Sequence, residues 1–244
     1  MENKSQTFKR KEMKFLIDKK TKDSFFESIS SQLDQDAFGQ ALISNIYYDD
    51  INSRLIRRSL EKPAYKEKLR LRSYNNVNSD SKVFIELKKK YDGIVYKRRL
   101  SMKETDAEKF LNREINPKNQ IEKETRYFLD FYHDLKPAMY LSYNRLAYFC
   151  KSDPNLRITF DSDILYRTEN LSLLSKSYGS PLLEKNLFIM EIKCADAMPL
   201  WLVEALNKNK IYQSSFSKYG NAYLKNLSKD NISKGSEKIA WIFK

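Results

Sequence analysis

Several segments of this chain alternate charged and apolar residues at the two-residue period of a β-strand. Lys68, Arg70 and Arg72 fall on one side of such a segment, and the leucines between them fall on the other. Since successive side chains of a strand point to opposite faces, each segment buries an apolar face and presents a charged one. A single strand of this kind is common in antiparallel sheets that have one solvated face. Six or seven in one chain predict a charged sheet face that converges on a strongly anionic partner.

The predicted order of elements is that of an α+β protein built on antiparallel strands. Strands over 65–74, 82–91 and 94–102 follow one another through a polar turn and an Asp92-Gly93 hairpin, which predicts a meander. Further strands are predicted over 8–17, 43–49, 139–149, 156–166 and 186–193. Helices are predicted over 21–33, 105–114, 120–135 and 199–207, and the segment 50–60 fits a short helix. Thr105 and Glu108 have the spacing of a capping box.

Size and composition predict one large folded domain. The chain has 244 residues, of which 41% are hydrophobic and 13% aromatic, enough for a substantial core. We expect the domain to cover 1–228 and assign no role to a tail over 229–244. The excess of 45 Lys and Arg over 32 Asp and Glu gives a net charge of +13. That charge predicts an acidic partner, either nucleic acid, anionic lipid or a phosphorylated small molecule, and composition does not choose among them.

Cysteine and histidine usage disfavours several kinds of site. Cys150 and Cys194 lie far apart and match no metal-binding spacing, so we expect two buried, reduced thiols in an intracellular protein. His133 is the single histidine and falls in a predicted helix, which favours a surface or core role and gives poor support to zinc clusters and histidine relays. The sequence shows no apolar signal segment and no run of ~20 apolar residues, so we expect a soluble cytoplasmic protein.

The charged faces of the predicted strands contain many cations and a few acids. The cations are Lys14, Lys68, Arg70, Arg72, Lys88, Lys90, Lys97, Arg99, Arg145, Arg157 and Lys193, and the acids are Glu12, Glu86, Asp161 and Glu191. One interpretation is a solvated face with cross-strand ion pairs. The other is a barrel whose cations surround a polyanion, with arginines binding phosphate oxygens in pairs. In that case the acids either pair with the cations or hold a divalent metal that bridges phosphates.

Eight motifs in order along the chain carry a resemblance to a known family. They are Arg10-x-Glu12-x-Lys14, Lys68-x-Arg70-x-Arg72, Phe84-x-Glu86-x-Lys88, Lys97-Arg98-Arg99, Ser142-Tyr143-x-Arg145-x-Ala147-Tyr148, Arg157-Ile158-Thr159-x-Asp161, Met190-Glu191-x-Lys193 and Phe216-Ser217-Lys218-Tyr219. Their order and spacing over roughly residues 8–227 resemble the VTC-type polyphosphate polymerase domain, a branch of the triphosphate tunnel metalloenzymes.

The resemblance implies a closed antiparallel tunnel of about eight strands, with helices packed outside. It implies a phosphotransferase that moves the γ-phosphate of ATP onto a growing polyphosphate chain and releases ADP, with Mn²⁺ or Mg²⁺ as cofactor. The implied metal ligands are Glu191 and, beside it, Glu12, with Asp161 as a further candidate. The side chains implied to bind the phosphates of ATP and polyphosphate are Lys14, Arg70, Arg72, Lys88, Lys97, Arg99, Arg145, Arg157, Lys193 and Lys218.

Two positions depart from the wider superfamily, in which many hydrolases have Glu-x-Glu-x-Lys in the first strand. Arg10 replaces the first of these acids, which disfavours a two-metal hydrolase, and Phe15 stands where an aromatic hydroxyl is common, with an expected effect on packing alone. The acceptor phosphate is already ionised, so the chemistry needs no general base, and this suits a chain almost without histidine.

Two alternatives remain open at this stage. One is a hydrolase of tripolyphosphate or nucleoside triphosphates in the same tunnel, and the other is a non-catalytic module that binds polyphosphate or nucleic acid. Few aromatic residues are interleaved with the basic faces, so we expect no nucleic-acid partner. The family implies a membrane-protein partner in trans, and the sequence leaves the oligomeric state open.

Overall fold

The computed structural model describes residues 11–92, 94–195 and 197–233. Arg10, Gly93 and the apolar segment 239–243 lie outside the described residues. The strands are β1 (Lys11–Asp18), β2 (Leu33–Asp49), β3 (Tyr65–Tyr74), β4 (Lys82–Tyr91), β5 (Ile94–Lys103), β6 (Lys136–Cys150), β7 (Arg157–Arg167), β8 (Ser180–Pro181) and β9 (Leu187–Cys194). The α-helices are α1 (Lys19–Ile29), α2 (Arg54–Leu60), α3 (Glu104–Leu111), α4 (Gln120–Phe131), α5 (Leu200–Lys208) and α6 (Lys218–Ser233).

All strands belong to one antiparallel sheet. Their spatial order is β1-β9-β7-β6-β2-β3-β4-β5, and the short β8 pairs with β7. The predicted meander is present as β3, β4 and β5, with Tyr91 paired to Ile94 across the hairpin. The α+β class and the antiparallel tunnel-like sheet with outer helices are therefore confirmed, with nine strands in the described part where about eight were expected.

The sheet curls so that its two ends approach each other. Five strands separate β1 from β4 in the sheet order. Glu12 on β1 and Lys88 on β4 nevertheless lie close enough to interact. Burial acts to raise the pKa of Glu12, but the positive charge of Lys88 opposes this effect, and the pKa is lowered overall. In the described part no backbone ladder joins β1 to β5, so hydrogen bonds do not close the tunnel that the sequence predicted. The free edge of β1 is instead occupied by Ser214, whose N–H donates to the carbonyl of Lys14 at 2.8 Å.

Two apolar cores cover the convex side of the sheet. Leu69, Leu71 and Ile85 pack against α3 and α4, with Phe110 and Phe128 fully buried between them. A second cluster joins the convex faces of β1, β7 and β9 to α1 and α5, and includes Cys150, Cys194 and Phe15. Both cysteines are buried free thiols, as predicted, and Phe15 has the packing role expected of it.

A third apolar cluster lies on the concave side and fills one end of it. Ile43, Tyr143 and Ile189 from three strands contact residues of α2 and α6 there. Tyr219 at the start of α6 stacks on Tyr47 with ring centroids 4.4 Å apart. Because hydrocarbon fills this end, the charged side chains of the concave face are concentrated in the remainder.

Several predicted boundaries were wrong. The strand expected from residue 43 begins at Leu33, because residues 33–35 and 40–42 also pair with β6, and the first helix therefore ends at Ile29. Lys103 is the N-cap of α3 and no side chain caps it, so Thr105 and Glu108 do not form a capping box. The helix α4 ends at Phe131, which leaves His133 in an exposed turn. The helix α6 runs from Lys218 to Ser233, and the division into a domain over 1–228 and a tail stays a prediction. Within the described residues, no helix has the length and apolarity needed to span a membrane.

The packing of α4 gives a test of this architecture. Leu129 is 1% exposed in the outer core, whereas Tyr127 on the same helix is 68% exposed. Leu129→Ala should lower the free energy of unfolding by about 2–5 kcal/mol, because it leaves a cavity between helix and sheet. Tyr127→Ala is the matched control and should change it by about 0.5 kcal/mol or less. Urea denaturation measures both, and equal effects of the two substitutions would contradict the assigned helix face.

Candidate functional site

Charged side chains from seven strands and from α6 converge on the concave face. The strand register places them side by side: Lys14 opposes Glu191, Arg145 opposes Asp161, and Glu86 lies between Arg70 and Arg99. The cations of this site are Lys14, Lys68, Arg70, Arg72, Lys88, Lys97, Arg99, Arg145, Lys193 and Lys218, and its carboxylates are Glu12, Glu86, Asp161 and Glu191. Fully ionised, this set has a formal excess of six positive charges.

Asp161 and Glu191 form one centre of the site. Asp161 is fully buried and accepts two hydrogen bonds from Arg145, from Nε at 2.6 Å and from Nη2 at 2.7 Å. Lys218 Nζ lies 2.6 Å from Asp161 and 3.5 Å from Glu191. Lys14 and Lys193 each lie 3.5 Å from Glu191. Burial acts to raise the pKa of Glu191, but Lys218 and the other cations outweigh it and hold that pKa well below the usual range.

The position of Lys218 depends on how α6 is anchored. Ser217 precedes the helix, and its Oγ accepts from the N–H of Gly220 at 3.1 Å. The hydroxyl of Tyr219 donates to Asp49 at 3.1 Å, and the same carboxylate accepts from the N–H groups of Leu55 and Ile56 at the start of α2. Asp49 therefore hydrogen-bonds to both α2 and α6, and this contact positions Lys218 beside Asp161 and Glu191.

Glu86 forms the second centre. This carboxylate is 1% exposed and contacts Lys97 at 2.7 Å, Arg99 at 2.5 Å and Arg70 at 2.6 Å, with Arg72 at 3.8 Å. Burial acts to raise the pKa of Glu86, and Arg70 is the strongest of the cations that together lower it far below its usual value. A single anion thus holds four cations from β3 and β5 in place.

Tyr143 connects the two centres. Its hydroxyl accepts a hydrogen bond from Arg72 Nη2 at 3.2 Å, while Asn45 Oδ1 accepts one from Arg72 Nε at 2.8 Å. The ring of Tyr143 lies 4.7 Å from Lys218 Nζ and 5.3 Å from Arg145 Cζ, both cation–π distances. Cations of both centres therefore meet at one aromatic side chain.

Two lysines of the site, Lys68 and Lys97, have pKa values lowered to about 8. Burial, together with the neighbouring lysines at positions 66, 88 and 14, lowers the pKa of Lys68 to about 8, although Tyr47 acts to raise it. Burial also lowers the pKa of Lys97 to about 8, although Glu86 acts to raise it. Both side chains would gain stabilisation from an anion bound beside them.

The structure brings together all but one of the predicted phosphate-binding side chains. Arg157 is the exception: it lies at the rim of the concave face opposite Lys193, is half exposed, and contacts Asp36 at 3.0 Å. Its role in phosphate binding remains a prediction.

From the sequence, Glu86 had only the alternative roles shared by all four acids, and Asn45, Tyr47 and Tyr143 had no assigned role in the site. Glu86 was noted as an acid of the charged face, yet its four contacts depend on pairing with both β3 and β5. Asn45, Tyr47 and Tyr143 also face the concave side. Tyr143 lies two residues from Arg145, which was a signal for its orientation, whereas the uncharged side chains of Asn45 and Tyr47 did not stand out in a charge pattern.

The carboxylates fit a metal that shares its coordination with phosphates. Across the described ranges, no group of three or more His, Cys, Asp and Glu side chains has metal-binding geometry. Glu12 and Glu191, however, both flank Lys14, at 3.4 and 3.5 Å, and so lie on the same part of the face. One or two carboxylates are the usual protein share of a Mg²⁺ site that is completed by substrate phosphates.

Comparison with known proteins agrees with this geometry. The VTC domain family matches residues 9–226. The "Vacuolar transporter chaperone complex subunit 4" of Trypanosoma brucei brucei is 27% identical over 72% of this chain, and the match spans only 27% of that relative's length. A crystal structure from Bacillus halodurans, provisionally assigned as an adenylate cyclase, superposes with a TM-score of 0.53 at 16% identity, covering 84% of this chain and 92% of that one. At this identity the structural likeness concerns the fold alone.

Glu86→Gln tests whether the buried carboxylate organises the second centre. The substitution leaves four cations without their anion, so it should lower the free energy of unfolding by about 3 kcal/mol. Added tripolyphosphate should restore part of that loss, since it supplies the missing negative charge. Urea denaturation with and without the ligand measures both effects, with the exposed Glu114→Gln as control. A variant as stable as the parent would contradict the assigned role of Glu86.

Proposed function

This chain belongs to the VTC domain family, and we propose that it is a metal-dependent phosphotransferase that moves the γ-phosphate of ATP onto inorganic polyphosphate. The observation that supports this most strongly is the convergence of ten cations on one concave face around only four carboxylates. Two unit charges ~4 Å apart interact by ~4 kcal/mol at an effective dielectric of ~20. A polyanion with several charges in this face therefore gains far more than it would on an ordinary basic surface.

The side chains at the two centres match what phosphoryl transfer requires. Arg70 and Arg145 each donate through Nε and Nη2 to a carboxylate, so their remaining Nη hydrogens are the ones available to phosphate oxygens, and Lys218 adds a charge at the Asp161 centre. Such groups hold donor and acceptor phosphates in line and neutralise the charge that develops on the oxygens.

The transfer itself needs no general base. The bond between the β,γ-bridging oxygen and the γ-phosphorus of ATP breaks, ADP keeps the bonding electrons, and a terminal oxygen of polyphosphate forms the new bond to phosphorus. That oxygen is already ionised, so the site needs to supply positioning and positive charge. Lys14, Lys88, Lys97, Arg99 and Lys193 surround the two centres and would extend the grip along the bound chain.

We assign the metal site to Glu191 and Glu12. Mn²⁺ or Mg²⁺ bound there would supply charge neutralisation at the phosphate oxygens. Lys14 contacts both carboxylates and keeps them oriented toward the same position. We also propose that the protein acts in the cytoplasm and passes its product to a membrane-protein partner. The trypanosome relative is by name a subunit of a transporter chaperone complex, which supports the existence of a protein partner.

Incubation of the purified protein with ATP and Mn²⁺ tests the proposed reaction. Long polyphosphate chains together with ADP are the expected products. Orthophosphate as the only phosphate product would identify a hydrolase, and binding without turnover would identify a non-catalytic module. Either result would contradict the proposal.

Glu191→Gln tests the metal assignment. Turnover should fall by at least about 100-fold, because the metal that would neutralise charge on the reacting phosphates loses the Glu191 carboxylate as a ligand. Tripolyphosphate should still bind, since the phosphate-binding cations remain. Glu114→Gln, on the surface, is the control and should keep the parent rate. Parent-like turnover in Glu191→Gln would place the metal elsewhere.

The lowered pKa values of Lys68 and Lys97 predict a pH dependence of binding. Phosphate binds the protonated lysines, so affinity is fully present below the pKa of about 8 and is lost as pH rises through it. Above that point, each lysine should reduce tripolyphosphate affinity by about tenfold per pH unit. Calorimetric titrations from pH 7 to 9.5 measure this loss of affinity. Lys68→Met should lose affinity less steeply with pH than the parent, because it lacks one titrating lysine. The ligand's own ionisation affects both proteins equally and cancels in the comparison. Identical profiles for variant and parent would exclude Lys68 from the site.

A further inference from the structure

Four lysines face one another in register on β3 and β4. Lys68 pairs directly with Lys88, and Lys66 pairs directly with Lys90. These four residues, here called the lysine ladder, lie on the concave face, because Lys68 and Lys66 continue the period-two series of Arg72 and Arg70 along β3. Rungs of such a ladder are ~7 Å apart along the strands.

The lysine ladder lacks the carboxylate partners that most cations of the site have. Four of those cations lie less than 3 Å from a buried carboxylate: Arg70, Lys97, Arg145 and Lys218. For the four ladder lysines, no ion pair within 4 Å is present in the described part of the chain. The nearest polar contacts are weak: Lys68 Nζ lies 3.4 Å from Ser217 Oγ, and Lys66 Nζ lies 3.4 Å from the carbonyl of Ser59.

Like charges directly opposite on neighbouring strands destabilise a sheet. The pKa shifts are consistent with this repulsion: burial lowers the pKa of Lys66, and Lys90, Lys88 and Lys62 lower it further. Lys68 is affected in the same way by Lys66, Lys88 and Lys14, while Tyr47 opposes the shift. Lys88 has Glu12 near it, but beyond ion-pair distance. Two adjacent rungs of lysines without an ion pair are therefore an energetic cost in the free protein, and a bound anion would remove it.

The ladder also has a direction. It begins next to Arg70 at the Glu86 centre and runs to the first residues of β3 and the last residues of β4, at one end of the sheet. Lys62 lies just beyond it, close enough to influence Lys66. An anion that spans from the Glu86 centre to this end must be long and regularly charged.

We propose that the lysine ladder is a second binding segment for linear polyphosphate, which holds the part of the chain that extends beyond the phosphates at the two centres. This proposal rests on the proposed function. The aromatic residues of the same strand ends, Tyr65 and Tyr91, occupy the opposite face and contact each other there, with ring centroids 6.4 Å apart. Bases of a nucleic acid would find no stacking partner on the ladder, so bare phosphate is the better match.

Lys66→Met/Lys90→Met tests the ladder through chain-length dependence of binding. Calorimetry would compare the double variant with the parent, using tripolyphosphate and long-chain inorganic polyphosphate as probes. Affinity for the long chain should fall by about tenfold, while affinity for tripolyphosphate stays within about twofold. Lys20→Met/Lys123→Met removes the same charge from exposed helix positions outside the site and should leave both affinities unchanged.

The outcomes separate this proposal from the proposed function. If the parent binds both probes and the double variant loses neither, or loses both equally, the ladder is overturned and the proposed function stands. If the parent binds neither probe, both are overturned. Equal binding of a single-stranded RNA oligomer, lost in the same variant, would overturn the assignment of the ligand as polyphosphate. The melting temperature of the double variant should equal or exceed that of the parent, because a repulsion is removed, and a lower value would contradict the unpaired state of the ladder.

Discussion

The confinement of many cations on one concave face is the physical constraint on which this structure depends. Ten cations of the site would repel one another strongly without internal anions. Glu86 and Glu191 meet that requirement by each contacting four of them, and Asp161 contacts two, Arg145 and Lys218. They neutralise only part of the charge, so the face is stable enough to fold and still strongly attractive to a polyanion.

The apolar cores determine where this charge is concentrated. Helices on the convex side leave the concave face as the place where charged side chains of the sheet can lie. Apolar residues of α2 and α6 then fill one end of the concavity, anchored through Asp49 and Tyr219. The same contact positions Lys218 beside Asp161. The packing of Tyr219 and the ion pair of Lys218 therefore both depend on α6.

Much of the sheet and most of the site could be predicted from the sequence. Alternation of charged and apolar residues identified the strands that carry Lys14, Arg70 and Arg145, because that period depends only on local geometry. Long-range pairing could not be deduced in the same way. The four contacts of Glu86, the start of β2 at Leu33 and the occupation of the β1 edge by Ser214 all depend on partners far away in the chain.

The most direct test of the central claim is a crystal structure with a non-hydrolysable ATP analogue and Mn²⁺. We expect phosphate oxygens within hydrogen-bonding distance of Arg70, Arg145 and Lys218 on the concave face, with the metal on Glu191. Phosphates bound only on the outer surface, with those three side chains still held by their carboxylate partners, would contradict it.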